Sequence, residues 1–259
     1  MTNYNLKLLK IMADTQTLHL IKIHLDIPLR RFQIGRLRGM VAEHAGFQHD
    51  LLHNHKDGQA DKYHYRYPLV QYKVQNGKGM LVGLKEGAAT LRQLLKPMDM
   101  TLAGDLAVQS FQESFTPVGM SEELRPYSIW QWLPLNQENY KRWIANENPV
   151  WRHDELERLL AAHLLAFSEG IGFTVPRPRG LFVKLDSIGA ERPAKLHDNN
   201  LISLDVHFQA NMLLPSDVGL GRGASHGFGN LLALPVRHSS SDKQFAGSKK
   251  NNNNRPDQY

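Results

Sequence analysis

The sequence contains no cysteine and no long apolar run, and each absence excludes a class of protein. Without cysteine there is no disulfide framework, no thiolate nucleophile and no cysteine-ligated zinc. No stretch approaches the roughly 18 apolar residues that a membrane-spanning helix needs. The first residues, Met1 to Leu9, also lack the uninterrupted apolar segment of a secretion signal. We therefore expect a cytoplasmic protein that has no membrane partner.

Basic residues outnumber acidic ones, with 31 lysines and arginines against 25 aspartates and glutamates. The formal net charge is +6 and the sequence pI is about 9.4. Residues 238–259 hold four basic and two acidic residues, so that +4 remains in the body of the chain. Such an excess favours an anionic partner. The same tail, 238–259, carries serine and asparagine runs without apolar periodicity, which predicts disorder.

The first 115 residues alternate between strand and helix patterns. Thr17–Leu25 alternates apolar and polar side chains, as a half-buried strand does. Apolar residues then recur at helical spacing from Ile34 to Ala45, and Gly46 is placed to end that helix. Two strands that join at an Asn-Gly turn, a short helix and a further strand complete the series. This order predicts a ferredoxin-like domain over residues 1–115.

Residues 127–237 repeat the pattern less regularly. The segment 116–126, which contains proline and glycine, is typical of a linker. A strongly amphipathic helix follows Asp154, its predicted N-cap, and ends at Gly170. Strands are predicted near 181–185, 201–208 and 231–234, and the second helix shrinks to 215–218. The chain is therefore predicted to be an α+β protein of tandem ferredoxin-like (RRM-like) units, the second less regular.

Five glycines within residues 219–229 form the most unusual stretch of the sequence. They permit positive φ at several positions and let a backbone come close to another group. One interpretation is a loop whose N–H groups, together with Arg222, hold phosphate ahead of a short strand. A dinucleotide-binding fingerprint is disfavoured, because it requires a following helix and Pro235 stands there instead.

Five of the thirteen histidines fall between residues 44 and 64. Histidine is the natural acid or base near neutral pH, since its unperturbed pKa is about 6.5. His53 and His55 are two residues apart, so that on an extended segment both side chains lie on one face. RNA supplies its own nucleophile, the 2′-OH, and needs only a base for that proton and an acid for the leaving 5′-oxygen. His163, at the edge of an apolar helical stripe, is instead expected to be a buried histidine with a hydrogen-bond partner.

A metal site on the same histidines is the alternative. His53 and His55 can seat zinc, with His49 or Asp50 as a further ligand. Structural zinc usually needs four ligands, however, and the chain offers no cysteine. We therefore expect no metal and no cofactor.

Two motifs in this order resemble the RAMP superfamily of CRISPR-associated proteins, in the branch of endoribonucleases that cut CRISPR RNA precursors. The family's glycine signature, G-x-G then G-F-G, matches Gly219, Gly221, Gly227, Phe228 and Gly229. Leu52-His53-Asn54-His55 matches the histidine motif that follows the first helix of the first unit. The resemblance extends to about residue 237. It implies metal-independent cleavage of CRISPR repeat RNA by 2′-OH attack, with 2′,3′-cyclic phosphate and 5′-hydroxyl ends and with His53 and His55 as catalytic residues.

Residue chemistry adds a predicted RNA-binding set to these histidines. Arg222 carries a guanidinium fork that suits phosphate, and Lys56 stands beside the histidines, where it would stabilise charge on the phosphorane. The set is completed by two arginines of the first helix and by the glycine-rich loop: Arg36, Arg38, Gly219, Gly221, Gly223, Ser225, His226, Gly227, Phe228 and Gly229. The alternative is a non-catalytic RNA-binding subunit of a CRISPR effector complex, although the paired histidines favour the enzyme. The sequence leaves open a homodimer and an association with effector subunits.

Overall fold

The computed structural model describes residues 14–46, 50–53, 55–56, 59–63, 67–103, 105–177, 180–196 and 199–236. The tail that was predicted to be disordered, residues 238–259, lies outside these ranges, as do His49 and Asn54. Within the described ranges, no helix is long and apolar enough to cross a membrane.

The N-terminal half follows the predicted order of strand, helix, two strands, helix and strand. Its elements before the last strand are β1 (Thr15–Pro28), a 3₁₀ turn (Arg31–Gln33), α1 (Ile34–Ala45), α2 (Asp50–His53), β2 (His55–Lys56), β3 (Gln59–Tyr63), β4 (Val70–Gln75), β5 (Lys78–Leu84), α3 (Glu86–Leu94), β6 (Leu95–Lys96) and β7 (Thr101–Leu102). Gly46 ends α1 with a φ of 79°, as expected. The β4–β5 hairpin turns at Asn76 and Gly77, both at positive φ, as the Asn-Gly pair predicts.

The C-terminal half begins within the strand that completes the N-terminal half. Its elements are β8 (Leu106–Trp132), α4 (Gln137–Ala145), α5 (Pro149–Gly170), β9 (Val183–Ile188), β10 (Arg192–Leu196), β11 (Asn199–Leu213), a second 3₁₀ turn (Ala224–His226) and β12 (Asn230–Ala233). The long helix α5 starts earlier than predicted. Asn148, not Asp154, caps it, because Pro149 lacks an N–H and fits the first helical position. Residues 215–218 form no helix, and the glycine-rich loop stands in place of the second helix.

One antiparallel sheet runs through both halves, because they share β8. The first part of β8 belongs to the order β8–β1–β5–β4. Its last part belongs to the order β12–β8–β11–β9. The prediction of an α+β protein with tandem ferredoxin-like units, the second less regular, is confirmed.

The prediction of a linker at 116–126 is wrong, since this segment is the middle of β8. Gly119 lies opposite Thr15 of β1 on one side and Leu213 of β11 on the other. Its φ is 139°, and a Cβ there would lie 2.4 Å from the carbonyl oxygen of Asp14. Proline and glycine therefore mark a bend within a shared strand. The domain boundaries at 1–115 and 127–237 remain a prediction.

Apolar side chains cover both faces of the sheet around β1. Ile21, Ile23 and Leu25 are fully buried in one cluster with residues of α1 and α3. Leu18 and Leu20 alternate onto the opposite face, where they join a second cluster with α5 and the C-terminal strands. Each fully buried side chain of this kind contributes about 1.5–3 kcal/mol. Because the second cluster draws on both halves, it holds them together.

His163 is a buried histidine with a partner, as predicted. Its Nδ1 lies 3.1 Å from Nε1 of Trp132 on β8. The indole nitrogen can only donate, so Nδ1 accepts and the ring is neutral. Burial, helped by the nearby Arg222 guanidinium, lowers the pKa of His163 to about 4. As the pH is lowered, His163 therefore binds a proton near pH 6.5 in the unfolded chain and only near pH 4 in the folded chain.

We expect this histidine to destabilise the fold in acid. Stability should be lost as the pH falls from about 6.5 towards about 4, the window between the unfolded and the folded pKa. His163→Gln keeps an acceptor for Trp132 but cannot titrate. Between pH 6.5 and pH 4, the melting temperature of this variant should therefore fall by a few degrees less than that of the wild type. The matched control is His44→Gln, at an exposed position of α1. Equal acid sensitivity of wild type and His163→Gln would contradict the assignment.

Candidate functional site

The glycine-rich loop, residues 219–229, packs on β4, the edge strand of the N-terminal half. The N–H of Gly219 donates to Oε1 of Gln71 at 2.7 Å, and the hydroxyl of Tyr67 donates to the carbonyl oxygen of Gly219 at 2.7 Å. At the other end of the loop, Nζ of Lys73 donates to Oδ1 of Asn230 at 2.6 Å. Side chains just before and on β4 thus hold both ends of a loop from the C-terminal half.

Most N–H groups of the loop are used inside the protein. Gly219 donates to Gln71, Arg222 to the carbonyl oxygen of Leu133 and Gly229 to that of Gln131. Further N–H groups donate within the loop itself: Leu220, His226, Gly227 and Phe228. The hypothesis that the loop holds phosphate through its backbone N–H groups is therefore restricted to the few N–H groups not named above. These seven N–H groups already have acceptors inside the protein and are not available to hold phosphate.

The glycines are required by the close packing of the loop. A Cβ on Gly221 would lie 2.7 Å from Nε1 of Trp132, and one on Gly227 would lie 2.7 Å from Cδ1 of Ile34. Gly229 has a φ of 64°, and its Cβ would lie 1.9 Å from the carbonyl oxygen of Leu220. The pattern G-x-G…G-F-G therefore serves first to fold the loop onto itself and onto its neighbours.

Two arginines from the first helical segment reach the loop from the other side of β4. Arg31 donates to the carbonyl oxygen of Gly227, and its guanidinium lies 4.6 Å from the ring centre of Phe228. Nη1 of Arg38 lies 2.7 Å from Nε2 of His226, which must accept because the guanidinium only donates. Ser225 adds a hydroxyl 3.1 Å from Nδ1 of the same histidine. Guanidinium, imidazole and hydroxyl groups thus meet at one edge of the sheet.

Buried positive charge characterises this edge. Lys73 is 3% exposed, and burial lowers its pKa to about 7, with Asp217 opposing the shift and Arg31 and Lys22 adding to it. Burial also lowers the pKa of Arg31 to about 10. Asp217 pairs with Lys22 at 2.6 Å. The cations outnumber this carboxylate, so the region favours a further anion.

The histidine motif starts at the same edge. Leu52 of α2 is buried, and its carbonyl oxygen accepts a hydrogen bond from the hydroxyl of Tyr72 on β4 at 3.3 Å. The guanidinium of Arg38 lies 5.6 Å from the ring centre of that same tyrosine. His53 is the next residue after Leu52 and ends α2. Tyr72 therefore links the histidine motif, through Arg38, to the glycine-rich loop.

The remaining predicted residues fall around this edge. His55 and Lys56 form β2, where His55 pairs with Tyr63 and Lys56 with Gln59. The side chains of His53, His55 and Lys56 lie outside what the structure describes. Arg36 is exposed on α1, and Arg222 is exposed on the loop. The structure thus brings α1, α2 and the loop together, while the roles of these side chains stay predictions.

One group of described residues has the geometry to hold a metal ion, on α5. Ligand atoms of His153, Asp154 and Glu157 lie within 4.8 Å of one another. Two of these side chains also contact β9: Glu157 accepts from the N–H of Leu185 at 2.7 Å, and Nε2 of His153 lies 3.3 Å from the carbonyl oxygen of Leu185. We interpret the group as a contact that holds α5 on β9.

Comparison with known families now adds to this geometry. The Cas6b N-terminal domain model matches residues 16–114, and the Cas6b C-terminal domain model matches residues 119–234. The chain belongs to the Cas6b family. It is therefore a CRISPR-associated endoribonuclease of the RAMP type, and the resemblance stated from the two motifs is confirmed. Family membership also favours the enzyme over a non-catalytic subunit.

Individual relatives agree with this assignment. An uncharacterized protein of Methanocaldococcus jannaschii is 27% identical over 123 residues, which are 46% of this chain and 80% of that protein. A crystal structure of Cas6b superposes with a TM-score of 0.71 at 23% identity, covering 85% of this chain and all of that one. A structure of the CRISPR RNA processing endoribonuclease Cas6b gives 0.64 at 22% identity, again over 85% of this chain. At such identities the superpositions show the shared fold.

Sequence reasoning missed the residues by which this Cas6b chain holds its loop. Gln71 and Lys73 alternate with Tyr72 on β4, and a polar face of an edge strand is normally expected to meet water. Both are buried instead, at 0% and 3% exposure, under the glycine-rich loop. The sequence carried no signal of this burial, because the alternation of apolar and polar residues in Val70–Gln75 is that of a half-exposed strand.

We expect Gly229→Ala to destabilise the protein by more than about 1–2 kcal/mol, the cost of a left-handed backbone at a residue with a Cβ. The clash with the carbonyl oxygen of Leu220 adds to that cost. Gly39→Ala is the matched control, because a Cβ on this exposed helical glycine meets nothing within 4 Å. That control should gain roughly 0.5–1 kcal/mol. Urea unfolding measures both, and a neutral Gly229→Ala would mean that the loop is not packed as described.

Proposed function

We propose that the chain cleaves CRISPR repeat RNA without a metal ion, with His53 and His55 as the acid–base pair. The observation that carries the proposal is the convergence of two distant motifs on Tyr72. Its hydroxyl contacts the carbonyl oxygen of Leu52, next to His53, and its ring contacts Arg38, the partner of His226. A loop that binds the RNA backbone and a segment that carries two imidazoles would then act on one phosphodiester. A 22% identical structure of the same family is described as a CRISPR RNA processing endoribonuclease.

The reaction needs two proton transfers and no external nucleophile. One histidine, neutral, takes the proton of the 2′-OH as that oxygen attacks the adjacent phosphorus. The other histidine, protonated, gives its proton to the 5′-oxygen as the bond from phosphorus to that oxygen breaks. The products are a 2′,3′-cyclic phosphate and a 5′-hydroxyl. The two imidazoles end with their protonation states exchanged, and solvent restores them.

Positive charge around the histidines supplies the rest of the rate enhancement. Charge builds up on the phosphorus oxygens in the transition state, and a lysine or arginine fixed nearby stabilises it. Lys56 follows His55 on β2 and is the proposed stabilising cation. Arg38 and His226 are held together at the edge of β4, Arg36 is exposed on α1, and Arg222 is exposed on the loop. We assign these four residues to the RNA backbone.

The glycine-rich loop contributes its shape to binding. Its glycines allow the backbone to pack tightly on β4 and α1, and its side chains then present a compact surface. Among them, Ser225 lies within the second 3₁₀ turn and contacts His226, and Phe228 follows the turn and contacts Arg31. We propose that RNA passes over this turn on its way to β2.

Replacing either histidine should slow cleavage without abolishing binding. His53→Ala and His55→Ala should each lower the cleavage rate by about 10²–10⁴-fold, the usual worth of a positioned acid or base. Affinity for the repeat RNA should stay close to that of wild type. The control is His44→Ala, an exposed histidine on α1. Full activity in the double variant would remove these histidines from the mechanism.

The same assay in EDTA tests the role of metal. With single-turnover cleavage of a labelled repeat RNA, the wild-type rate should be the same with and without the chelator, because both proton transfers are assigned to imidazole. A rate that falls in EDTA and returns with added divalent cation would replace the imidazole mechanism by a metal-assisted one.

Arg222→Ala should weaken RNA binding mainly at low salt. A lysine or arginine that contacts phosphate displaces a counterion, and each lost contact flattens the plot of log affinity against log salt by about 0.7 for a single strand. Lys184→Ala on β9, at the far edge of the sheet from β12, is the matched control for loss of one exposed charge. Fluorescence anisotropy over a salt series measures both slopes. An unchanged slope in Arg222→Ala would show that this residue contacts no phosphate.

A further inference from the structure

An aromatic side chain beside the candidate site is exposed to solvent. Phe32 lies in the 3₁₀ turn before α1 and is 80% exposed. Single exposed apolar residues are common on protein surfaces, and exposure alone shows nothing. Here the neighbours in sequence are Arg30 and Arg31, and Arg31 is bonded to the carbonyl oxygen of Gly227. Phe32 thus projects from a turn that is tied to the glycine-rich loop.

The turn that carries Phe32 is held from several sides. The N–H of Arg30 donates to Oε1 of Gln33 at 2.8 Å, and the N–H of Gln33 donates back to the carbonyl oxygen of Arg30 at 2.9 Å. The N–H of Leu29 donates to the carbonyl oxygen of Gly77 in the β4–β5 turn at 2.8 Å. The ring is therefore presented from a fixed backbone, which lowers the entropy that a ligand would have to overcome.

The surface next to the ring is basic and open. Four arginines and no acidic residue occur between Leu29 and Met40, and Arg30 and Arg36 are exposed. Gly35 and Gly39 lie on the same exposed side of α1, with nothing within 4 Å of either Cβ position. Internal packing does not explain these helical glycines. A polyanion can approach the helix backbone closely here, between the ring and Arg36.

We propose that Phe32 stacks on an unpaired base of the bound RNA, whose backbone runs along the exposed face of α1 past Arg36. The inference rests on the proposed function, since it takes RNA as the ligand. Aromatic rings bind single-stranded nucleic acid by stacking on base faces while nearby cations follow the phosphates. A protein partner would require a wider apolar patch, whereas the exposed residues next to Phe32 are arginine and glycine. A single ring with a basic border matches a nucleotide.

The test separates stacking from electrostatics and from loss of fold. The probe is a fluorescein-labelled CRISPR repeat RNA with 2′-deoxyribose at the cleaved position, which removes the attacking hydroxyl so that binding is measured alone. Phe32→Ala should weaken binding by about 5- to 150-fold, the worth of one base stacked on an aromatic ring. Phe32→Leu keeps an apolar side chain without a ring and should lose as much affinity as Phe32→Ala. Phe32→Trp keeps a ring and should bind the RNA with the affinity of the wild type. Melting temperatures of all variants should match, since the side chain is exposed.

The salt slope should stay that of wild type in Phe32→Ala, because no phosphate contact is lost. Phe115→Ala is the matched control: Phe115 is 69% exposed on β8, at the opposite edge of the N-terminal sheet from β4. It should bind as wild type does. Replacing each base in turn by an abasic nucleotide locates the stacked base. An abasic nucleotide at that position should weaken binding to the wild type as much as Phe32→Ala weakens binding to the intact RNA. Phe32→Ala and the abasic RNA together should weaken binding no more than either change alone.

Three results would overturn the inference while leaving the proposed function intact. Wild-type affinity in Phe32→Ala would show that the ring does not contact the RNA. Wild-type affinity in Phe32→Leu would show an apolar contact without stacking. A flatter salt slope in Phe32→Ala would show that the change acts through displaced arginines. If wild type itself neither binds nor cuts the repeat RNA, the proposed function fails and this inference fails with it.

Discussion

The burial of one polar face of β4 under the glycine-rich loop is the interaction on which the candidate site depends. Lys73 is nearly without solvent exposure, and an unpaired ammonium group in that position would be strongly destabilising. Asn230 accepts its hydrogen bond, and the pKa of Lys73 falls to about 7, which limits the buried charge. Gln71 fixes the other end of the loop at Gly219. The loop is thereby placed against the strand that also positions Tyr72.

This placement gives the glycines a physical reason other than phosphate binding. The loop closes on itself at Leu220 and Gly229 and lies against Trp132 and Ile34, so that there is no space for a side chain at Gly221, Gly227 or Gly229. We propose that Arg38 of α1 and His226 and Arg222 of the loop contact the anion in place of the loop's N–H groups. The glycine signature thus shapes a compact surface on β4, and our proposal assigns the RNA contacts to the side chains on and beside that surface.

Much of the fold follows from local patterns. The alternation in β1, the Asn-Gly turn after β4 and Gly46 at the end of α1 each reflect a preference of a few neighbouring residues, and each was predictable. The bend at Gly119 was misjudged because proline and glycine have the same local effect in a linker and in a bent strand. Only the pairing of β8 with β1 and β11 distinguishes the two, and these partners are remote in sequence.

The sequence by itself determined the tandem α+β architecture, the two motifs and the basic character of the chain, because periodicity, turn chemistry and charge are properties of short segments. It did not determine that Lys73 and Gln71 would be buried, that Arg31 and Arg38 would reach Gly227 and His226, or that Phe32 would remain in water. Those outcomes depend on contacts between residues separated by more than a hundred positions. Packing across the sheet edge determines whether a side chain is exposed to solvent or buried under the loop. Such packing is a property of the tertiary structure alone.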